Sequence, residues 1–377
     1  MAHANLCNGP NPIMVVEIEK GNVIEINEII KENEHLLPIM FQGENGVTLK
    51  GINEWLKRRK IPDKREGIKE SRLLFPNFEN YHHMLSLSDQ YWFQYRKTEK
   101  WEKLNYFDNK YPQEKGLLFF EPWKVDPKNI QYETPDTTTG GVLRKRWVQD
   151  ENKKSYLIKA RSKEYHQEPL SEVLASITLK KLNIIPFVEY EMLIYGLCCC
   201  SKCANFITSH TEFVPAAHVY MLKNKPDTKH IYEHFYQMCQ DYGISGVREY
   251  IANMIAIDHI LCNTDRHLYN FGFIRNIDNG EIIGFAPLFD FGHTYWGTAN
   301  DEHTSRLFGE IETETFHNVI KKIDVDLLID SEDMETLINQ YPEISKQQSN
   351  MIIKKIHKIN RQIIDIKPPR KMPDYLR

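Results

Sequence analysis

The sequence predicts a bilobal α+β fold, with a mixed α/β N-terminal lobe followed by a mainly helical C-terminal lobe. Three observations lead there. Up to about residue 215, short apolar or alternating runs recur between turn-forming clusters, which is the pattern of strands. Beyond 216 the apolar residues recur at helical spacing, over about 229–242, 246–262, 303–322, 332–340 and 343–365. Within the helical part, residues 263–270 and then Asp290-Phe291-Gly292 set an Asp and an Asn five positions apart and a second Asp beyond a hairpin-like stretch. Three consecutive segments are expected: an aromatic-rich α/β region over 1–130, an N-lobe with a glycine-rich loop over 131–215, and a helical C-lobe over 216–377.

The first segment opens with an alternating run at 13–18 and a turn at Gly21-Asn22, which predicts a strand pair leading into 26–33. Residues 48–60 predict a helix: Thr48 is a capping type, Leu49, Ile52, Trp55 and Leu56 share helical spacing, and Ile61-Pro62 ends it. Aromatics then crowd the chain, with Tyr91-Trp92-Phe93, Tyr95, Trp101, Tyr106-Phe107, Phe119-Phe120 and Trp123. Interleaved with Lys and Arg, they match base stacking by single-strand binders. Core or interface packing explains them with fewer requirements and is the preferred reading.

In the second segment, Thr137, Thr138, Thr139, Gly140 and Gly141 enter a strand. Glycines there let backbone N–H groups approach phosphate oxygens closely. The strand at 156–160 carries Lys159 inward, which suits contact with the α/β-phosphates. The helix at about 170–182 places Glu172 on its first turn, where it can pair with Lys159 and fix it. Two strands, 187–195 and 210–215, flank what reads as a cysteine-containing loop. The second ends in proline, as a hinge would, with backbone groups near Glu212 and Val214 available to an adenine ring. Four of the seven cysteines lie in that loop, at 198, 199, 200 and 203. A structural zinc site needs four ligands and only His210 is added nearby, so reduced thiols are the expectation.

In the third segment the hairpin is expected from a strand at 271–275, a two-residue turn at Asp278-Asn279-Gly280 and a returning strand at 281–285. Its ends bring Asn270 and Asp290 close enough to share a cation. A carboxylate that receives a proton, an amide oxygen and a second carboxylate that hold metal are what phosphoryl transfer from ATP uses, and protein kinases show the same Asp-to-Asn spacing.

The bulk composition narrows the partners. With 41% hydrophobic and 27% charged residues the chain is of soluble globular type. Forty-eight Lys+Arg against 52 Asp+Glu give a net charge of −4, so bulk attraction to nucleic acid or to an anionic membrane is not expected. The clusters Lys57-Arg58-Arg59-Lys60 and Lys64-Arg65 read as solvated faces. No basic segment followed by an apolar stretch opens the chain, which places the expectation in the cytoplasm or in secretion without a classical signal.

The run 263–271, with Ala286-Pro287-Leu288-Phe289-Asp290 downstream, resembles the HipA-like serine/threonine kinases, bacterial proteins of toxin–antitoxin modules and related effectors. The likeness extends over about 135–365, and the first 130 residues are closer to the compact members of that group. The resemblance implies ATP and Mg²⁺ as cofactors, Asp265 as catalytic base, Asn270 and Asp290 as metal ligands, Lys159 as the phosphate lysine, and His267 as a structural member of the catalytic loop. It also implies a Ser- or Thr-bearing protein substrate, autophosphorylation near Thr138, and an antitoxin-like partner. A small-molecule or lipid kinase on the same fold, and a non-catalytic partner- or repressor-binding module, remain alternatives.

Overall fold

The structure, a computed structural model, describes residues 1–74, 82–117, 120, 133–195, 198–295, 312–323 and 331–367. From the N-terminus run β1 (Ala2–Asn8), β2 (Asn11–Glu19), β3 (Asn22–Ile29), α1 (Leu49–Arg59), α2 (Ile68–Leu74), β4 (Tyr91–Gln94), α3 (Trp101–Leu104) and α4 (Glu114–Leu117). There follow β5 (Lys145–Gln149), β6 (Ser155–Ala160), α5 (Glu168–Leu182), β7 (Tyr190–Tyr195), β8 (Cys198–Ala204), β9 (Thr211–Pro215) and α6 (Ala216–Tyr220). The last elements are α7 (Ile231–Asp241), α8 (Val247–Ile260), β10 (Gly272–Asn276), β11 (Ile282–Phe285), α9 (Glu312–Lys322), α10 (Ser331–Gln340) and α11 (Lys346–Ile366). The α+β expectation holds.

The chain condenses into two compact units, both discontinuous. The first comprises Met1–Ala160, Lys202–Asn224 and Gly272–Phe285, the second Arg161–Ser201, Lys225–Phe271 and Ala286–Arg377. The three consecutive segments expected are thus redistributed, and the hairpin of the third joins the first unit.

In the first unit, an antiparallel sheet of order β3-β2-β1-β4 packs its apolar face on α1. The expected strand pair is there, and β1 and β4 complete it. Thr48 caps α1 by accepting the N–H of Gly51 at 3.0 Å, while Ile52, Trp55 and Leu56 are buried beneath. The aromatic run is mostly core: Trp92, Trp101, Tyr106, Tyr111 and Trp147 form one buried cluster. Phe119 and Trp123 lie outside the described residues. A second sheet, β11-β10-β9, holds the hairpin. Its turn differs from the two-residue form. A type I′ turn needs positive φ at both central residues, yet only Gly280 has it, at +74°. A longer loop forms instead, closed by the N–H of Asn276 on the carbonyl of Glu281 at 2.9 Å and by that of Gly280 on Asn276 at 3.0 Å.

The second unit is chiefly helical. Ser345 opens α11 with a capping box, accepting the N–H of Gln348 while Gln348 accepts that of Ser345. The stretch 303–311 of the expected helix lies outside the described residues, and 312–322 is helical. The cysteines lie on a strand, not in a loop. Cys199, Cys200 and Cys203 are buried within β8 because a thiol packs as a small apolar group. Burial, with Glu343 beside it, pushes the Cys199 thiol up to about 11, so it stays protonated. All seven cysteines stand outside any disulfide. Among the described residues no helix is long and apolar enough to cross a membrane.

Candidate functional site

The acidic residues of the second unit are gathered by a buried charge. Two residues past the end of α8, Cys262 has a φ of +48° that turns the chain away from helical geometry. On the last turns of α8, Asp258 is fully buried. It accepts Asn263 Nδ2 at 2.8 Å and the guanidinium of Arg266 through Nε and Nη2, each at 3.0 Å. Arg266 is equally buried. Burial would draw its proton off, but the charge of Asp258 outweighs that and holds the guanidinium firmly protonated.

The remaining arm of Arg266 reaches the backbone of the loop. Nη1 donates to the carbonyl of Asn270 at 2.6 Å and to that of Phe289 at 2.9 Å. One nitrogen thereby ties the peptide of Asn270 to the peptide immediately before Asp290. Asn270 in turn donates its side-chain amide to the carbonyl of Asp265 at 3.0 Å. That fixes the orientation of the amide, with Oδ1 on the side opposite this contact. Asp265 is exposed, with its own N–H on Asn263 Oδ1 at 3.3 Å. Asn270 is buried and Asp290 half-buried.

Asp290 sits at φ +63°, in the left-handed region. Asp tolerates that conformation better than most residues, and surroundings must hold it there. They are visible: its N–H donates to the Tyr190 hydroxyl at 3.1 Å. The ring of buried Phe291 meets Tyr190 edge-on, with centroids 6.4 Å apart, and lies 5.3 Å beneath the Arg266 guanidinium. His267 is exposed and accepts the N–H of Tyr269 on Nδ1 at 3.2 Å, which shapes the loop between Asp265 and Asn270. Glu172 is buried on α5 and accepts the hydroxyl of Ser201. The backbone at Asp265, at Asn270 and just before Asp290 is therefore linked through Asn270 and Arg266. Arg266 and Asp258, which anchor this link, carried no assigned role in the sequence.

The other expected residues belong to the first unit. Lys159 is buried on β6, opposite Lys145. The glycine loop is held by its carbonyls. Buried Arg65 donates to the carbonyl oxygens of Thr139, of Gly140 at 2.6 Å and of Gly141 at 3.0 Å. Gly141 has φ +89°, which suits glycine. All three threonines are buried and hydrogen-bonded: Thr137 to the carbonyl of Thr134, Thr138 to that of Leu85, Thr139 to that of Pro135.

Glu212 and Val214 correct the hinge expectation. β9 pairs with β10 through Glu212↔Arg275 and Val214↔Phe273. The N–H of Phe213 points away, to the carbonyl of Ser88 at 2.9 Å. Alternation in an antiparallel ladder then turns the peptide groups of Glu212 and Val214 toward β10, where the sheet takes them up. The Glu212 carboxylate is likewise engaged, 2.5 Å from Arg275 in a buried network with Tyr91 and Asn8.

The fold is similar to that of a solved HipA protein. HipA of Shewanella oneidensis MR-1, solved in its toxin–antitoxin system with HipB and operator DNA, is similar over 96% of this chain and 97% of its own. The TM-score is 0.57 and the identity 10%. The proinflammatory kinase CtkA of Helicobacter pylori is similar over 62% of this chain and 93% of its own, with a TM-score of 0.49 and 18% identity. No family model matches the chain, and no curated protein matches it.

Proposed function

We propose that this protein is an ATP- and Mg²⁺-dependent kinase that transfers the γ-phosphoryl group to a serine or threonine hydroxyl of a protein, itself included. The observation that carries the reading is the single guanidinium that fastens Asn270 to the residue before Asp290 while Asn270 fastens Asp265. In such a site catalysis is mostly positioning and charge stabilisation. Asp265 accepts the proton of the attacking hydroxyl as its oxygen bonds to the γ-phosphorus and ADP leaves. The Asn270 amide oxygen and the Asp290 carboxylate are hard oxygen donors of the kind Mg²⁺ accepts. When bound, the metal neutralises phosphate charge. Lys159 supplies a further positive charge to the phosphates. An antitoxin-like protein partner belongs to the same reading.

The test is incubation of wild type and Asp265→Ala with labelled ATP and Mg²⁺, followed by intact mass and peptide mapping against a panel of protein, lipid and sugar acceptors. Phosphoserine or phosphothreonine is expected from wild type, with kcat lowered by several orders of magnitude in the variant and nucleotide affinity nearly intact. Transfer to a lipid or sugar alone moves the assignment to another substrate class. A variant that keeps most of its activity removes Asp265 from its role.

A further inference from the structure

Away from the acidic loop, a cluster around β4 combines two imidazoles and a carboxylate with their ligand atoms within 4.8 Å of one another: His82, His83 and Glu99. Each is held by neighbouring backbone. The carbonyl of His83 accepts the N–H of Phe93 in β4 at 2.8 Å. Just past β4, Glu99 Oε2 accepts the N–H groups of Tyr95 at 2.8 Å and Arg96 at 3.0 Å, leaving Oε1 directed at His83. The His82 ring stacks on Tyr95 with centroids 4.2 Å apart and 5° between planes, and lies 4.5 Å from the His83 ring.

A fourth residue sets the tautomer. Glu133 accepts the backbone N–H of His83 on Oε1 at 2.7 Å and lies 2.6 Å from His83 Nδ1 on Oε2. That contact places the ring proton on Nδ1 and leaves the lone pair on Nε2. A carboxylate behind an imidazole in this way is the usual outer support of a metal-bound histidine. His83 is 9% exposed, and its Nε2 is buried without a hydrogen-bond partner among the described residues.

The alternative is a protonated His83 shared between two glutamates, and the distances speak against it. Nε2 stands 3.5 Å from Glu99 Oε1, long for a charge-assisted hydrogen bond, which prefers about 2.7–2.9 Å. Two donors on a tetrahedral metal at about 2.0–2.1 Å each lie about 3.3–3.4 Å apart, close to the observed gap. The geometry points to a divalent transition-metal site in the first unit, with His83 Nε2, Glu99 Oε1 and a ring nitrogen of His82 as ligands and Glu133 as support. Two nitrogens and one oxygen, with a fourth position for water, suit zinc; magnesium and calcium favour all-oxygen sets. The site ties the strand β4 region to the chain at Glu133, two residues before Pro135 and the 3₁₀ turn at Pro135–Thr138 that leads into the glycine loop.

The test uses the full chain, freed of metal by chelation and kept without nucleotide. Zn²⁺ affinity and stoichiometry are measured by competition with a chromophoric chelator, and Co²⁺ is added for its absorption spectrum. One metal per chain is expected, with a cobalt spectrum lacking thiolate charge transfer. His82→Asn changes a surface position and Glu99→Gln is near-isosteric, so both keep the fold, checked by circular dichroism. Each is expected to lower affinity at least about 100-fold, and Glu133→Gln by roughly 10–100-fold. His210→Asn, at an exposed histidine elsewhere, leaves affinity unchanged. Absence of binding overturns the assignment. So does affinity unchanged in His82→Asn and Glu99→Gln, or a thiolate band, which places the metal on the cysteines of β8.

Discussion

Replacing Arg266 by methionine keeps roughly the volume of the side chain and removes its charge. Asp258 is then left ionised and buried, with Asn263 as its remaining hydrogen-bond donor of those described above. Removing one partner of a buried pair costs about 3–5 kcal/mol, chiefly because the other charge has lost its compensation. For a unit of this size that corresponds to a fall of about 6–20 °C in Tm. Asp258→Leu combined with Arg266→Met removes both charges, and such a replacement is often near neutral. Asn263 then lacks its acceptor, which costs about 1–2 kcal/mol. The double variant is therefore expected within about 2 kcal/mol of wild type. Activity is expected to follow a different course. The carbonyls of Asn270 and Phe289 lose their shared donor in both variants, and a displacement of about 1 Å costs about 100-fold in rate. Denaturant unfolding of all four members of the cycle, with phosphoryl transfer measured on each, separates the two effects. A double variant as unstable as the sum of the singles, or one that regains wild-type transfer, would refute the reasoning.

Arg65→Met is expected to free the glycine loop, since it removes three hydrogen bonds from a charged donor to the carbonyls of Thr139, Gly140 and Gly141. At about 1.5 kcal/mol or more each, their loss raises amide exchange across 137–141 by several orders of magnitude; unchanged protection by exchange mass spectrometry contradicts the clamp. His218 gives a pH signature. Burial first, then the charges of Arg275 and Arg58, push its imidazole down to about 4 from 6.5. A depressed histidine stabilises the fold above the unfolded value and loses that contribution as pH falls through the folded one. Stability is thus expected to drop by about 2–3 kcal/mol between pH 6.5 and 4 through this group. His218→Gln flattens that part of the curve, and an unchanged slope in chemical denaturation shows that the imidazole is not responsible.

What could be read from the sequence was local or periodic. The cap at Thr48, the helical repeats and the five-residue spacing of Asp265 and Asn270 rest on neighbours within a turn or two, and all three appear in the structure. What could not be read depends on distant partners. β1 mixes His3, Asn5 and Cys7 with apolar residues, so its strand character comes from pairing with β2 and β4. The cysteine run read as a loop because nothing nearby shows that buried thiols would act as core residues. Glu212 looked available because its partner Arg275 lies far along the chain. Arg266 stood in the motif in plain view. Its task needed the position of Asp258 on the buried side of α8 and the arrival of Phe289 beside Asn270. The histidine cluster left no motif, since Glu99 and Glu133 approach His83 only through tertiary structure.

The most direct measurement on the central claim is a calorimetric titration of ATP, with and without Mg²⁺, into wild type and Asp290→Ala. The account predicts that wild type binds ATP with a strong dependence on Mg²⁺, and that the variant loses this dependence while remaining folded. Equal Mg²⁺–ATP affinity in the two proteins, or no ATP binding by wild type, contradicts it.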